Sequence, residues 1–141
     1  MIIAFKPWHA TVLGPRDVEW GPEMAARLQT AYLGGEAVTI LAPDKSIIAC
    51  MGMVFVTRRT VEVWVLASEK VTRYPKLLCK CARWCLDEAH RRHGVSRFQA
   101  AIQQDRTTAR RWAKFLGFEV ESHLPGFGDN GETFLRYVRL V

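Results

Sequence analysis

Val61, Val63 and Val65 alternate with Glu62, Trp64 and Leu66 at a period of two, and the runs Ala37 to Leu41 and Ser46 to Thr57 ahead of them also read as strands. That period belongs to strands with one buried face. Pro43-Asp44-Lys45 and Arg58-Arg59 punctuate these runs as turns, so three antiparallel strands are predicted, with Gly52 marking a bulge in the second. Ahead of them, Met1 to Lys6 reads as a strand, and Pro7, Gly14 and Pro15 read as a loop before Asp17. A helix follows, opened by Pro22 and Glu23, striped by Met24, Leu28 and Tyr32, and stopped by Gly34-Gly35.

After Ser68 the period lengthens to nearly four. Leu78, Ala82 and Leu86 form one row, with Leu77, Cys81, Cys85 and Ala89 beside it, predicting a long helix to His93 that Gly94 ends. Phe98 to Ile102 is the next strand, and a strand, helix and strand in this order form a right-handed crossover between parallel partners. A helix over Thr107 to Leu116 stops at Gly117, and Phe118 to Glu121 begins another strand. The loop from Pro125 to Gly131 then returns the chain antiparallel over Thr133 to Leu140. The expected architecture is α/β (α+β): a mixed central sheet of about six to seven strands with helices on both faces.

Composition narrows the picture. The 141 residues fit a single domain, 1–141, and a 49% hydrophobic fraction excludes disorder. Lys and Arg total 20 against 14 Asp and Glu, a net charge of +6 that favours phosphate-bearing ligands. Those charges are spread along the chain without a nucleic-acid motif, so dedicated nucleic-acid binding is not expected. No apolar stretch is long enough for a membrane span, and no secretion signal accompanies Cys50, Cys79, Cys81 and Cys85, which points to a reducing cytoplasm. Cys81 and Cys85 share one helix face and Cys79 points elsewhere, so packed, reduced thiols are expected and no metal site.

The order of elements is similar to the Gcn5-related N-acetyltransferase (GNAT) fold over nearly the whole chain. The segment from Asp105 to Phe118, a helix ending in Gly117-Phe118, resembles that family's late helix. Trp64-Val65-Leu66-Ala67-Ser68, Arg73-Tyr74-Pro75, the stretch from Arg83 to Glu88, and Gly126 to Gly131 with Phe134 resemble segments of divergent acetyltransferase-like proteins of short-tailed bacteriophages, some of them internal virion proteins. That likeness implies a location in the host cytoplasm or in the virion.

The resemblance implies a parallel pair splayed at the sheet's centre, with acetyl-coenzyme A between the two strands. Its pantetheine would pair with Val65, Leu66 and Ala67, and its pyrophosphate would sit in the loop from Ser68 to Lys76, at a helix N-terminus that favours anions. A backbone cleft is then expected at Leu66 to Ser68. Family members line this loop with glycine. Here Lys70, Thr72 and Tyr74 stand instead, so Lys70, Arg73 and Lys76 either hold phosphate by charge-assisted bonds or form a solvated helix start.

The family's leaving-group tyrosine lies seven residues after an asparagine. The equivalent positions are Arg106 and Ala113, leaving Tyr74 or solvent to protonate the thiolate. Arg106 is a further candidate phosphate contact, with helix capping by Asp105 or Thr107 as the alternative at that place. Glu62 is the first candidate base and Glu69 the second, each with a solvent-facing role as the alternative. The implied function is acetyl transfer to an amine, on a small molecule or a protein lysine. The competing function is a catalytically inactive virion or host-interaction protein on the same fold.

Overall fold

A computed structural model describes residues 1–13 and 35–141. The helix expected from Pro22, with Met24, Leu28 and Tyr32, lies outside the described residues, as do Gly14, Pro15 and Asp17. Among those described, the order is β1 (Ile2–Ala4), α1 (Pro7–Leu13), β2 (Gly35–Leu41), β3 (Ile47–Phe55), β4 (Thr60–Ala67), a 3-10 turn (Glu69–Arg73) and α2 (Pro75–His93). Then come β5 (Arg97–Gln103), α3 (Thr107–Phe115), β6 (Glu119–Leu124) and β7 (Phe134–Leu140). The strands form a seven-stranded sheet in the order β1-β2-β3-β4-β5-β7-β6.

Two expectations are corrected. Pro7 opens α1 instead of a loop: its missing N–H falls where a helix leaves donors unpaired, and His9, Ala10 and Leu13 turn inward together. Gly52 carries no bulge. It pairs regularly with Ala37, and the register shift falls between Ile40 and Leu41. A Cβ at Gly52 would lie 2.7 Å from the Glu36 carbonyl oxygen, 2.7 Å from the Trp64 indole and 2.8 Å from the Ala37 Cβ, so close approach of backbone and side chains is what requires glycine there.

By contact density the chain divides into two compact units, Met1–Phe55 with Val63–Cys85, and Val56–Glu62 with Leu86–Val141. In the first, β1 to β3 pair antiparallel, and Ile48 to Met51 are buried in unbroken succession, the signature of a strand covered on both faces. Phe5, Ala10, Leu13 and Cys50 form a core cluster joined by Ala37, Ile47, Trp64 and Leu66. The Phe5 and Trp64 rings meet edge to face at 5.6 Å, and the buried Trp64 Nε1–H has no hydrogen-bond partner among the described residues.

In the second unit the parallel ladder joins Thr60 to Arg97, Val61 to Phe98 and Glu62 to Gln99. β4 runs on to Ala67 and β5 to Gln103. β7 pairs antiparallel with both β5 and β6, placing Leu135, Tyr137 and Val138 in the core beside Phe98. Gly94 and Gly117 follow α2 and α3 with φ of 69° and 91°, the left-handed geometry that ends helices and that glycine enters without a Cβ clash.

Candidate cofactor site

β4 delivers the chain to the site. Val65 is exposed, Leu66 and Ala67 are half-buried, and Ser68 is buried where the strand ends. Ser68 fixes that ending twice over. Its N–H and its hydroxyl both donate to the Ile48 carbonyl, at 3.0 and 3.2 Å, and its Oγ accepts from the Lys70 N–H at 3.2 Å. The Ser68 side chain therefore caps the 3-10 turn.

Within that turn the backbone bonds to itself. The Val71 N–H donates to Ser68 O at 3.1 Å, the Tyr74 N–H to Val71 O at 3.0 Å, and the Thr72 hydroxyl to Glu69 O at 2.9 Å. A glycine-lined loop presents its amides to phosphate; this one spends them internally. Donors reappear at α2. Leu78 N–H bonds to Tyr74 O at 3.0 Å, which makes Tyr74 the residue before the first turn and Pro75 its first helical position. The N–H groups of Lys76 and Leu77 then have no acceptor within the helix, and they stand at its positive end.

The first unit thus collects Val65, Leu66, Ala67, Glu69, Lys70, Thr72, Arg73, Tyr74 and Lys76 along one continuous stretch. Lys70, Thr72, Arg73 and Lys76 are exposed and Tyr74 is half-buried. Glu62 and Arg106 belong to the second unit. The Glu62 carboxylate is engaged: Arg136 donates to its two oxygens at 2.9 and 2.8 Å, and the Gln99 amide donates at 2.9 Å. Nothing in the sequence pointed to Arg136, which is 74 positions away and meets Glu62 only through strand order. Arg106 occupies the N-cap of α3, and no side chain closes that cap, so the capping expected of Asp105 or Thr107 is not formed. Ala113, at the position of the expected acid, packs its methyl group into the core.

Sequence reasoning also passed over Ser68 as a cap. The signal was present, since a serine two residues before an amide at a strand's end commonly bonds it.

With this geometry described, the class of fold is plain: the chain has the GNAT fold, a mixed seven-stranded sheet with one parallel pair. Among solved structures it is similar to a variant of the spermidine N-acetyltransferase SpeG from Vibrio cholerae, with a TM-score of 0.78 at 12% identity. That similarity covers 99% of this chain and 94% of that one. SpeG from the same organism in complex with manganese ions aligns with a TM-score of 0.74 at 12% identity over 99% of this chain and 91% of that one. No protein-family model and no curated protein matches the sequence.

Proposed function

We propose that this protein is an acetyl-coenzyme A-dependent N-acetyltransferase acting on an amine. The observation that carries the reading is the run from Val65 to Leu77, in which a strand end with accessible backbone leads through a basic turn into a helix whose first amides lack acceptors. Val65, Leu66 and Ala67 would pair with the pantetheine arm. The amides of Lys76 and Leu77 and the side chains of Lys70, Arg73 and Lys76 would hold phosphate, with Thr72 on the same turn. The end of the parallel ladder at Glu62 and Gln99, with β4 continuing to Ala67, supports this assignment.

When bound, the cofactor supplies a thioester carbon to the amine. The chain's own part is to orient that group and manage two protons. Tyr74 is the proposed proton source for the departing thiolate. Glu69, on the same stretch as Tyr74, is the proposed base, while the Glu62 carboxylate accepts from Arg136 and Gln99. A polycation such as the substrate named for SpeG would approach a chain of net charge +6 against repulsion, so a single amine, on a small molecule or a protein lysine, fits better.

The internally bonded turn and the methyl group of Ala113 favour a second reading: a cofactor-binding or partner-binding protein, of virion or host-interaction kind, that keeps the fold without turnover. Acetyl-coenzyme A offered with a panel of monoamines, polyamines and lysine peptides separates the two. Release of free coenzyme A thiol that depends on the amine is expected. Cofactor binding with no release above the amine-only rate would support the second reading.

A further inference from the structure

Beside the phosphate loop, and within the same unit, the β2–β3 turn has a feature that its own hydrogen bonds do not require. The turn closes through Ala42 N–H to Ser46 O at 2.9 Å and Lys45 N–H to Ala42 O at 2.8 Å. Asp44 Oδ1 accepts from both the N–H and the hydroxyl of Ser46, at 2.9 and 2.6 Å. None of these bonds uses the Lys45 side chain. Yet Lys45 sits at φ 69°, the one non-glycine residue with positive φ among those described. Asparagine or glycine would hold that left-handed position with less strain. Strain retained where an easier residue would serve points to a task for the side chain.

The task is indicated by where the turn lies. Lys45, Ser46, Ser68 and Lys70 line a cleft of about 410 Å³ together with the apolar Val12, Leu13 and Ile47. Both serine hydroxyls are committed as donors, Ser46 to Asp44 and Ser68 to Ile48 O. The free donating capacity of the cleft therefore resides in two ammonium groups. The Asp44 carboxylate is held below its ordinary value first by the hydrogen bonds from Ser46, with the positive charge of Lys70 a smaller cause. Among the described residues that line the cleft, the charged ones are Lys45 and Lys70, so that lining is net positive.

We infer that Lys45 and Lys70 together hold a phosphate-type anion in this cleft, with the hairpin turn acting as a second arm of the phosphate loop. The inference rests on the acetyltransferase reading in one respect only: it takes the anion to be a phosphate of coenzyme A, whereas a free phosphorylated ligand would use the same two lysines. Lys45 is then a binding residue that no family-like motif marks, placed by a turn far from the loop in sequence. The strained backbone aims its side chain into the cleft.

Lys45→Asn tests this directly, because asparagine tolerates the left-handed conformation and carries no charge. Coenzyme A, 3′-dephospho-coenzyme A and inorganic pyrophosphate are titrated calorimetrically at low salt into the wild type and the variant, alongside thermal melts. The variant should melt at or above the wild-type temperature and bind coenzyme A about fivefold more weakly, the scale of one partly exposed charge contact. A loss with coenzyme A but not with the dephospho form or pyrophosphate assigns the 3′-phosphate to the cleft; an equal loss with all three assigns the diphosphate. If the wild type binds pyrophosphate but not coenzyme A, and Lys45→Asn weakens it, the cleft stands and the acetyltransferase reading falls. Unchanged affinity for every ligand overturns the role of Lys45 while leaving that reading intact, and a melting temperature several degrees lower overturns it as well, by showing that Lys45 serves the fold. Binding of none of the three by the wild type overturns both.

Discussion

His9 shows how a single side chain ties the N-terminal segment to the sheet. The Lys6 N–H donates to its Nδ1 at 3.1 Å, so that nitrogen is unprotonated and the proton of the neutral ring sits on Nε2. Thr39 Oγ1, 2.8 Å from the same Nδ1, then donates its hydroxyl proton to it, and the Cys50 thiol lies 3.7 Å beyond Thr39. Burial first, and the Lys6 charge second, lower the His9 pKa below its ordinary 6.5. The sign follows. Between 6.5 and the lower folded value the unfolded chain takes up a proton that the folded chain refuses, so stability is complete above 6.5 and is lost as the pH falls through the folded value. Melting temperatures measured from pH 8 to pH 5 should fall across that window. The slope should flatten in His9→Asn, which keeps an acceptor and cannot titrate; an unchanged slope would mean that the pH dependence arises elsewhere.

At the scale of elements, α2 carries three of the four cysteines, and its inward rows place Cys81 in the core with Leu78, Ala82, Leu86 and Ala89. Burial pushes the Cys85 thiol up to about 12 and the Cys50 thiol on β3 up to about 11. Thiolates react and thiols do not, so a disulfide reagent at pH 8 should leave Cys50 and Cys85 unlabelled in the folded protein and reach all four cysteines only in denaturant. Rapid labelling of four thiols without denaturant, or one zinc per chain by elemental analysis, would contradict this packing. The rows on α2 were legible because nineteen residues repeat the helical period several times. α1 was not: seven residues make barely two turns, and Pro7 is equally at home in a loop. β4 was legible from alternation, and β2, β3, β5 and β7 from runs bounded by turn residues. The bulge was misplaced because Gly52 answers to the Glu36 carbonyl, the Ala37 methyl group and the Trp64 indole, neighbours that only the folded sheet supplies. At the site, the basic residues from Lys70 to Lys76 could be read directly. The engagement of Glu62 by Arg136 and the approach of Lys45 to the cleft depend on tertiary pairing and left no local trace.

For the molecule as a whole, the central claim is that this fold still binds acetyl-coenzyme A although its phosphate loop spends its amides internally. Two effects oppose each other. The amides of Lys76 and Leu77 at the positive end of α2 attract phosphate, whereas the 3-10 turn before them offers none of the wrapping that a glycine-lined loop gives. Side-chain charge on Lys70, Arg73 and Lys76 has to supply the remainder, and exposed charges are screened over about 10 Å at 0.1 M salt. None of the described helices is long and apolar enough to cross a membrane. The measurement is calorimetric titration of acetyl-coenzyme A into the wild type and Arg73→Glu over a series of salt concentrations. The account predicts weak binding that declines steeply with salt and is weaker still in Arg73→Glu. Tight binding indifferent to salt would contradict it by showing that backbone amides cradle the phosphates, and the absence of any heat at millimolar cofactor would contradict the acetyltransferase reading itself.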